Sequence, residues 1–207
     1  MTLAAVVLAA GASSRLGAPK ALASIGARTV LERLLVAAAS ADGAPLPLVV
    51  TGAHHDEIAA LVRGRSLAAD LVRNDLWERG RTGSVARAVA ARKGLDLVVL
   101  PADVPLVERE TVEALAAAWR DAGEPAGGWL APWVDGETGG GRRYGHPVIL
   151  GRELARRAEG LGPGAPLREL RSRAAPLLGV RVADVAILDD LDTPDDLERL
   201  RVRARGD

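Results

Sequence analysis

Cysteine is absent from the 207 residues, and so is phenylalanine. Without thiols there can be no disulfides and no thiolate metal sites, although oxygen-ligated metals stay open. One tyrosine and four tryptophans are the whole aromatic complement, so the core must be built from Leu, Val, Ala and Ile. Trp77, Trp119, Trp129 and Trp133 read as core or rim packing. Excess charge of either sign is missing too. Lys+Arg and Asp+Glu number 27 each, which gives no global field to select nucleic acid or an anionic membrane. No apolar run approaches the ~18–20 residues of a spanning helix. A secretory leader fits poorly, because no basic residue precedes the apolar run 3–8 and cleavage after 10–12 would remove the clearest strand. The expectation is a cytoplasmic protein with one α/β domain over 1–207.

Lysine is scarce as well. Lys20 and Lys93 stand alone among the arginines, and Lys20 closes the most informative stretch of the chain, residues 8–20. A buried strand opens there into Ala9, Ala10, Gly11, Ala12, Ser13, Ser14, Arg15 and then Gly17. Small residues let a backbone approach a ligand closely and turn its N–H groups toward an anion. Arg15 and Lys20 add two cations to the same loop. An ammonium suits a polyphosphate as a point charge, whereas a guanidinium suits bidentate contacts. The loop is neither G-x-x-x-x-G-K-S/T nor G-x-G-x-x-G, so it carries no P-loop or dinucleotide fingerprint.

Strand and helix patterns alternate along the rest of the chain. Strands are predicted at 4–8, 46–51, 70–73, 96–101, 129–133, 148–150 and 180–188. Several are continuous apolar runs, as in strands covered on both faces. Helices are predicted at 29–40, 55–64, 83–92, 110–122 and 194–203. The last begins with Thr193 as N-cap, Pro194 in the first turn, and Asp195 and Asp196 complementing the dipole. The alternation predicts a doubly wound, mostly parallel sheet with ligands at the carboxyl ends of its strands. The glycine-rich segment 135–143 reads as a surface loop; as a lid, its Arg142 and Arg143 would add positive charge over a phosphate.

Asp103 follows the buried run 96–101, in a turn fixed by Pro105. A carboxylate at a strand end facing an anion loop is a good magnesium ligand, since Mg²⁺ takes one or two carboxylates and completes its shell with phosphate oxygens and water. Asp189, Asp190 and Asp192 precede the last helix and are left over once its dipole is satisfied. In extended chain Asp190 and Asp192 share a face, and either could supply the second carboxylate.

Residues 8–20 resemble the signature loop of the nucleotidyltransferases. Four further segments occur in that family's order: Asn74 to Ser84-Val85, Asp103-Val104-Pro105, Gly145-His146-Pro147-Val148, and residues 190–197. Within the superfamily the chain is similar to the molybdenum cofactor cytidylyltransferases and the related guanylyltransferases, with the Gly-His-Pro and Asp-Thr-Pro segments pointing to that branch. Ala10 stands where the guanylyltransferases tend to carry glycine, and its Cβ would narrow the base pocket toward a pyrimidine. Leu16 replaces the commoner methionine, and the Gly139–Gly141 insert departs from the pattern.

The resemblance implies a Rossmann-like, nucleotide-diphospho-sugar transferase-like fold. It also implies Mg²⁺-dependent transfer of CMP from CTP to the terminal phosphate of molybdopterin, with release of pyrophosphate. Ala9, Ala10, Gly11 and Ser13, with Gly80 and Ser84 of the segment 80–85, would hold the nucleotide. Arg15 would meet the β- and γ-phosphates and Lys20 the α-phosphate. Asp103, with Asp190 or Asp192, would hold the metal, and His146 and Arg143 would meet the acceptor. A client molybdoenzyme or its chaperone is an implied partner; nucleic acid and membrane are not. Competing readings are GTP as donor, a sugar or alcohol phosphate as acceptor, a nicotinamide- or flavin-linked oxidoreductase, and a non-catalytic carrier of the finished cofactor.

Overall fold

The computed structural model describes residues 3–39, 45–136, 140–162 and 164–205. In chain order the elements are β1 (Leu3–Ala9), β2 (Ser24–Ile25), β3 (Arg28–Thr29), α1 (Val30–Ala38), β4 (Leu48–Thr51), α2 (His55–Gly64), β5 (Asp70–Arg73), α3 (Arg81–Ala91), β6 (Asp96–Pro101), α4 (Arg109–Asp121), β7 (Trp129–Asp135), β8 (Arg142–Tyr144), β9 (Val148–Leu150), α5 (Arg152–Arg156), α6 (Arg168–Ser172), β10 (Leu177–Arg181) and α7 (Pro194–Arg203). Short 3-10 turns fall at Lys20–Leu22, Trp77–Arg79, Arg157–Gly160 and Val185–Leu188.

The central sheet runs β10-β7-β9-β6-β1-β4-β5, with β8 paired to β7. β1 lies parallel to both β4 and β6, β4 to β5, and β7 to β10. β9 is antiparallel to β6 and to β7, and β8 is antiparallel to β7. Every strand of this sheet therefore points the same way except β8 and β9. The doubly wound, mostly parallel sheet expected from the sequence is the one observed. β2 and β3 form a separate hairpin.

Two apolar layers cover the sheet. On one face α1, α2 and α4 press Leu31, Leu34, Ile58, Leu115 and Trp119 against Ala5, Val7, Val49, Val98 and Leu100. On the other, α3, α5 and α6 press Val85, Ala88, Leu154 and Leu170 against Val6, Leu8, Val50, Leu97 and Val99. β1, β4 and β6 are buried on both faces, which is why their sequences are continuous rather than alternating. Each fully buried Leu or Val contributes about 1.5–3 kcal/mol. Trp119 donates its indole N–H to the buried Asp96, which also accepts from Arg152 N. The helix starts follow their local sequence. Thr29 with Glu32 at α1, and Thr193 with Asp196 at α7, form reciprocal capping boxes.

The strand expected at 180–188 is not continuous. β10 ends at Arg181, and Val185–Leu188 is a 3-10 turn capped by Asp184. Asp184 also accepts from Glu108 N and Thr111 Oγ1, so its carboxylate locks the chain out of extended geometry. Asp135 closes β7 and Arg142 opens β8, so the expected 135–143 loop is the turn of a β7–β8 pair; residues 137–139 lie outside the described residues. Ser40, the last residue of the first expected helix, also lies outside them. Among the described residues, no helix is long and apolar enough to cross a membrane.

Candidate active site

A cleft of about 360 Å³ opens at the carboxyl ends of β1, β4 and β6 and faces the first turn of α3. Its floor is the loop after β1. Ala10 O accepts from Ala53 N at 3.1 Å, and Leu8 O accepts from Ala102 N at 3.0 Å, so the loop is bound on both sides to neighbouring strand exits. A Cβ at Gly52 would lie 2.6 Å from Trp77 Cβ and overlap Ala10 O; glycine there lets β4 leave beneath the loop. Ser13 adopts φ +54°. Its carbonyl accepts from Leu16 N, and its hydroxyl accepts from Lys20 N at 3.1 Å. The hydroxyl thus folds the loop back and delivers Lys20 to the cleft. A Cβ built on Gly11 meets nothing within 4 Å, so packing does not demand that glycine, whereas close approach of a ligand would.

Charged groups line this floor. Lys20 Nζ stands 2.6 Å from Asp192 Oδ1, and Arg15 Nη2 stands 3.0 Å from Asp192 Oδ2. The hydrogen bond from Lys20 holds the Asp192 carboxyl below the usual carboxylate range against the opposing effect of burial, with Arg15 adding to the depression. Leu191 N donates to Asp103 O at 2.7 Å, which fastens the 190–192 segment to the turn after β6. Burial pushes the Asp190 carboxyl up, and the neighbouring charges of Asp103 and Asp192 push it further. Asp103 Oδ1 is buried with no hydrogen-bond partner.

Across the cleft, Gly80 (φ +108°) precedes α3, and Ser84 lies buried in its first turn. Asn74 donates to Ser84 Oγ at 3.0 Å and accepts from Leu76 N, so the segment 74–84 closes on itself around two buried polar side chains. His146 arrives from the start of the reversed strand β9. Gly145 lies flush against Ile187, where a Cβ would overlap the carbonyl, and His146 N donates to Ile187 O at 3.0 Å. His146 Nδ1 is buried without a partner. Burial pulls the imidazole pKa down, the Asp103 charge opposes this, and the Arg81 charge adds to it.

Residues 5–177 match the MobA-like NTP transferase domain. The chain belongs to this family. A curated relative, the bifunctional protein GlmU of Xanthobacter autotrophicus, is 33% identical over 186 residues, covering 86% of this chain and 39% of the relative. The chain thus spans about two fifths of the length of that relative. Among solved structures, a nucleotidyl transferase from Methanothermobacter superposes with a TM-score of 0.77 at 25% identity, covering 100% of this chain and 99% of that one. The manganese complex of Rv0371c from Mycobacterium tuberculosis gives 0.72 at 25% identity, with 98% of each chain covered.

The cleft brings together most of the site residues expected from the sequence. Ala9, Ala10, Gly11, Ser13, Arg15, Lys20, Gly80, Ser84, Asp103 and Asp192 all line it. Asp190 and His146 stand just outside the lining, within electrostatic reach of Asp103. Arg143 does not line the cleft; it sits exposed on β8, opposite Val134. Lining residues not assigned to the site from the sequence include His54, Trp77, Glu78 and Arg81. His54 Nε2 is 3.1 Å from Ala12 O, and Arg81 Nη2 is 2.7 Å from Asp103 Oδ2. The available signals were position alone: His54 follows a strand end, and Arg81 lies inside the 80–85 segment.

Proposed function

We propose that this NTP transferase moves CMP from CTP to the terminal phosphate of a molybdopterin-type acceptor and releases pyrophosphate. One observation carries the reading: a single cleft joins the Arg15–Lys20 cation pair, the Gly80–Ser84 segment and the Asp103 and Asp192 carboxylates, with Asp190 within electrostatic reach of both. The family match supports a nucleoside triphosphate as donor. The Gly-His-Pro and Asp-Thr-Pro segments support the acceptor, and Ala10 supports the smaller base.

The residues fit a divalent cation. The orphaned, buried Asp103 Oδ1 and the mutual repulsion among Asp103, Asp190 and Asp192 are both relieved by positive charge. Among the described residues no three His, Asp or Glu side chains form a ready metal cage, as expected for Mg²⁺, which borrows phosphate oxygens. Asp103 with Asp190 or Asp192 would hold it, and it would supply Lewis-acid stabilisation of the transferring phosphate. The Rv0371c relative carries manganese.

Lys20, with a side chain only 16% exposed, would meet the α-phosphate and the charge that develops there. Arg15, 71% exposed, would close on the β- and γ-phosphates. Asp192 holds both cations in place beforehand. The attacking oxygen of a phosphate acceptor is already an anion, so the chemistry needs no strong general base. Its obstacle is charge, and preorganised cations answer it. His146, kept neutral by burial, can accept or donate one hydrogen bond at the acceptor without adding fixed charge.

The test is pyrophosphate release from CTP, GTP, ATP and UTP with Mg²⁺ and molybdopterin. CTP-selective release is the expected result. GTP selectivity would remove the Ala10 argument, and release with none of the four would remove the acceptor.

A further inference from the structure

Among the described residues lining the cleft, Arg81 is the remaining guanidinium or ammonium beyond Arg15 and Lys20. It lies in the first turn of α3, and its Nη2 occupies Asp103 Oδ2 at 2.7 Å. The other oxygen of that carboxylate is buried and unpartnered. A guanidinium and a divalent cation on one carboxylate repel each other at contact distance, so they compete for it. Arg81 is 49% exposed and can leave Asp103 without opening the core.

The cleft cations form two groups. Arg15 and Lys20 share Asp192. Arg81 sits on Asp103, and its charge reaches His146 and Asp190. Nucleotidyl transfer to a phosphate brings two anions together, and each needs its own counter-charge. The Arg15–Lys20 group serves the triphosphate; Arg81, on Asp103 at the other side of the cleft, is left for the second anion. Resting on the proposed reading of Asp103 as a metal ligand and of the acceptor as a phosphate, we propose that Arg81 receives the acceptor phosphate and is parked on Asp103 until the cation displaces it. A planar guanidinium fork suits a terminal phosphate bidentately.

The experiment uses the full chain as wild type, Arg81→Gln, Arg81→Lys and Asp103→Asn. Mn²⁺ alone is titrated by electron paramagnetic resonance. Inorganic phosphate is then titrated calorimetrically onto protein already holding Mn²⁺ and α,β-methylene-CTP, so that the triphosphate positions are filled. Arg81→Gln should bind Mn²⁺ roughly 1.5- to fivefold more tightly than wild type, the range of a partly exposed ion pair. The same variant should bind phosphate about tenfold more weakly, and Arg81→Lys should recover part of that loss. Unchanged Mn²⁺ affinity in Arg81→Gln overturns the parked state, and unchanged phosphate affinity overturns the acceptor role. If Asp103→Asn binds Mn²⁺ like wild type, the metal reading itself falls, whatever Arg81 does. If the nucleotide analogue does not bind, the donor reading falls, and the Mn²⁺ titration still decides whether Arg81 competes for Asp103.

Discussion

Lys20 and Asp192 lie 172 positions apart in the chain, yet their charged atoms meet at 2.6 Å. The pair joins the loop after the first strand to the turn before the last helix, so the floor of the cleft exists only when both ends of the chain are in place. Asp192 carries a pKa below the usual 3.8 chiefly because Lys20 donates to it. The stability it lends is complete above that usual value and fades as pH falls through the lower folded value. Urea midpoints of wild type and Asp192→Asn should therefore differ at neutral pH and converge in acid. The gap should stay under about 1 kcal/mol, because solvent reaches the carboxylate. A gap that widens in acid would contradict the pairing.

Lys20→Ala should lower turnover by two decades or more while circular dichroism stays that of wild type. A charge-assisted bond is worth about 1.5–3 kcal/mol, and more where water is scarce. Single-turnover rates under saturating CTP and Mg²⁺ make the check, and near-normal rates would take Lys20 off the list of catalytic residues.

Asp103→Asn should abolish metal-dependent turnover. The substitution keeps the shape and removes the charge around the orphaned Oδ1. Activity is followed against Mg²⁺ concentration, and a titration curve like that of wild type would put the metal elsewhere.

Gly52→Ala should disturb the nucleotide loop rather than the sheet. Its Cβ must displace Trp77 or Ala10 O, which costs about 1–3 kcal/mol of overpacking. The expected outcome is a severalfold rise in the KM for CTP together with a lowered melting temperature. A wild-type KM would mean that the loop can step aside freely.

Ala10→Gly should shift base preference. One methyl's worth of pocket space discriminates by roughly 10- to 200-fold, so the ratio of kcat/KM for GTP over CTP should rise by at least tenfold. No change in the ratio would leave the base to be read by other residues.

The alternation of apolar runs made the sheet readable, because β1, β4 and β6 are buried on both faces and their sequences show it. The cation loop was readable because Lys20 is so rare a residue here. The hidden features depend on long-range bonds. The 3-10 turn at Val185–Leu188 looks like strand until Asp184 is seen accepting from Glu108 and Thr111, more than 70 positions away. Arg81 looked like one more arginine until the fold set it against Asp103. Arg143 read as a cation over the site, but its pairing opposite Val134 holds it on an outer strand.

The reversal of β9 has an evolutionary side. In a sheet whose other long strands agree in direction, only their exits meet the ligand; a reversed strand presents its entrance. His146, two residues before β9, therefore reaches the edge where Asp103 follows β6. On the proposed reading, the donor-facing loops and this acceptor-facing entrance therefore lie on separate stretches of sequence. A lineage could exchange the segment around His146 for another and acquire a new acceptor while keeping its triphosphate chemistry unaltered.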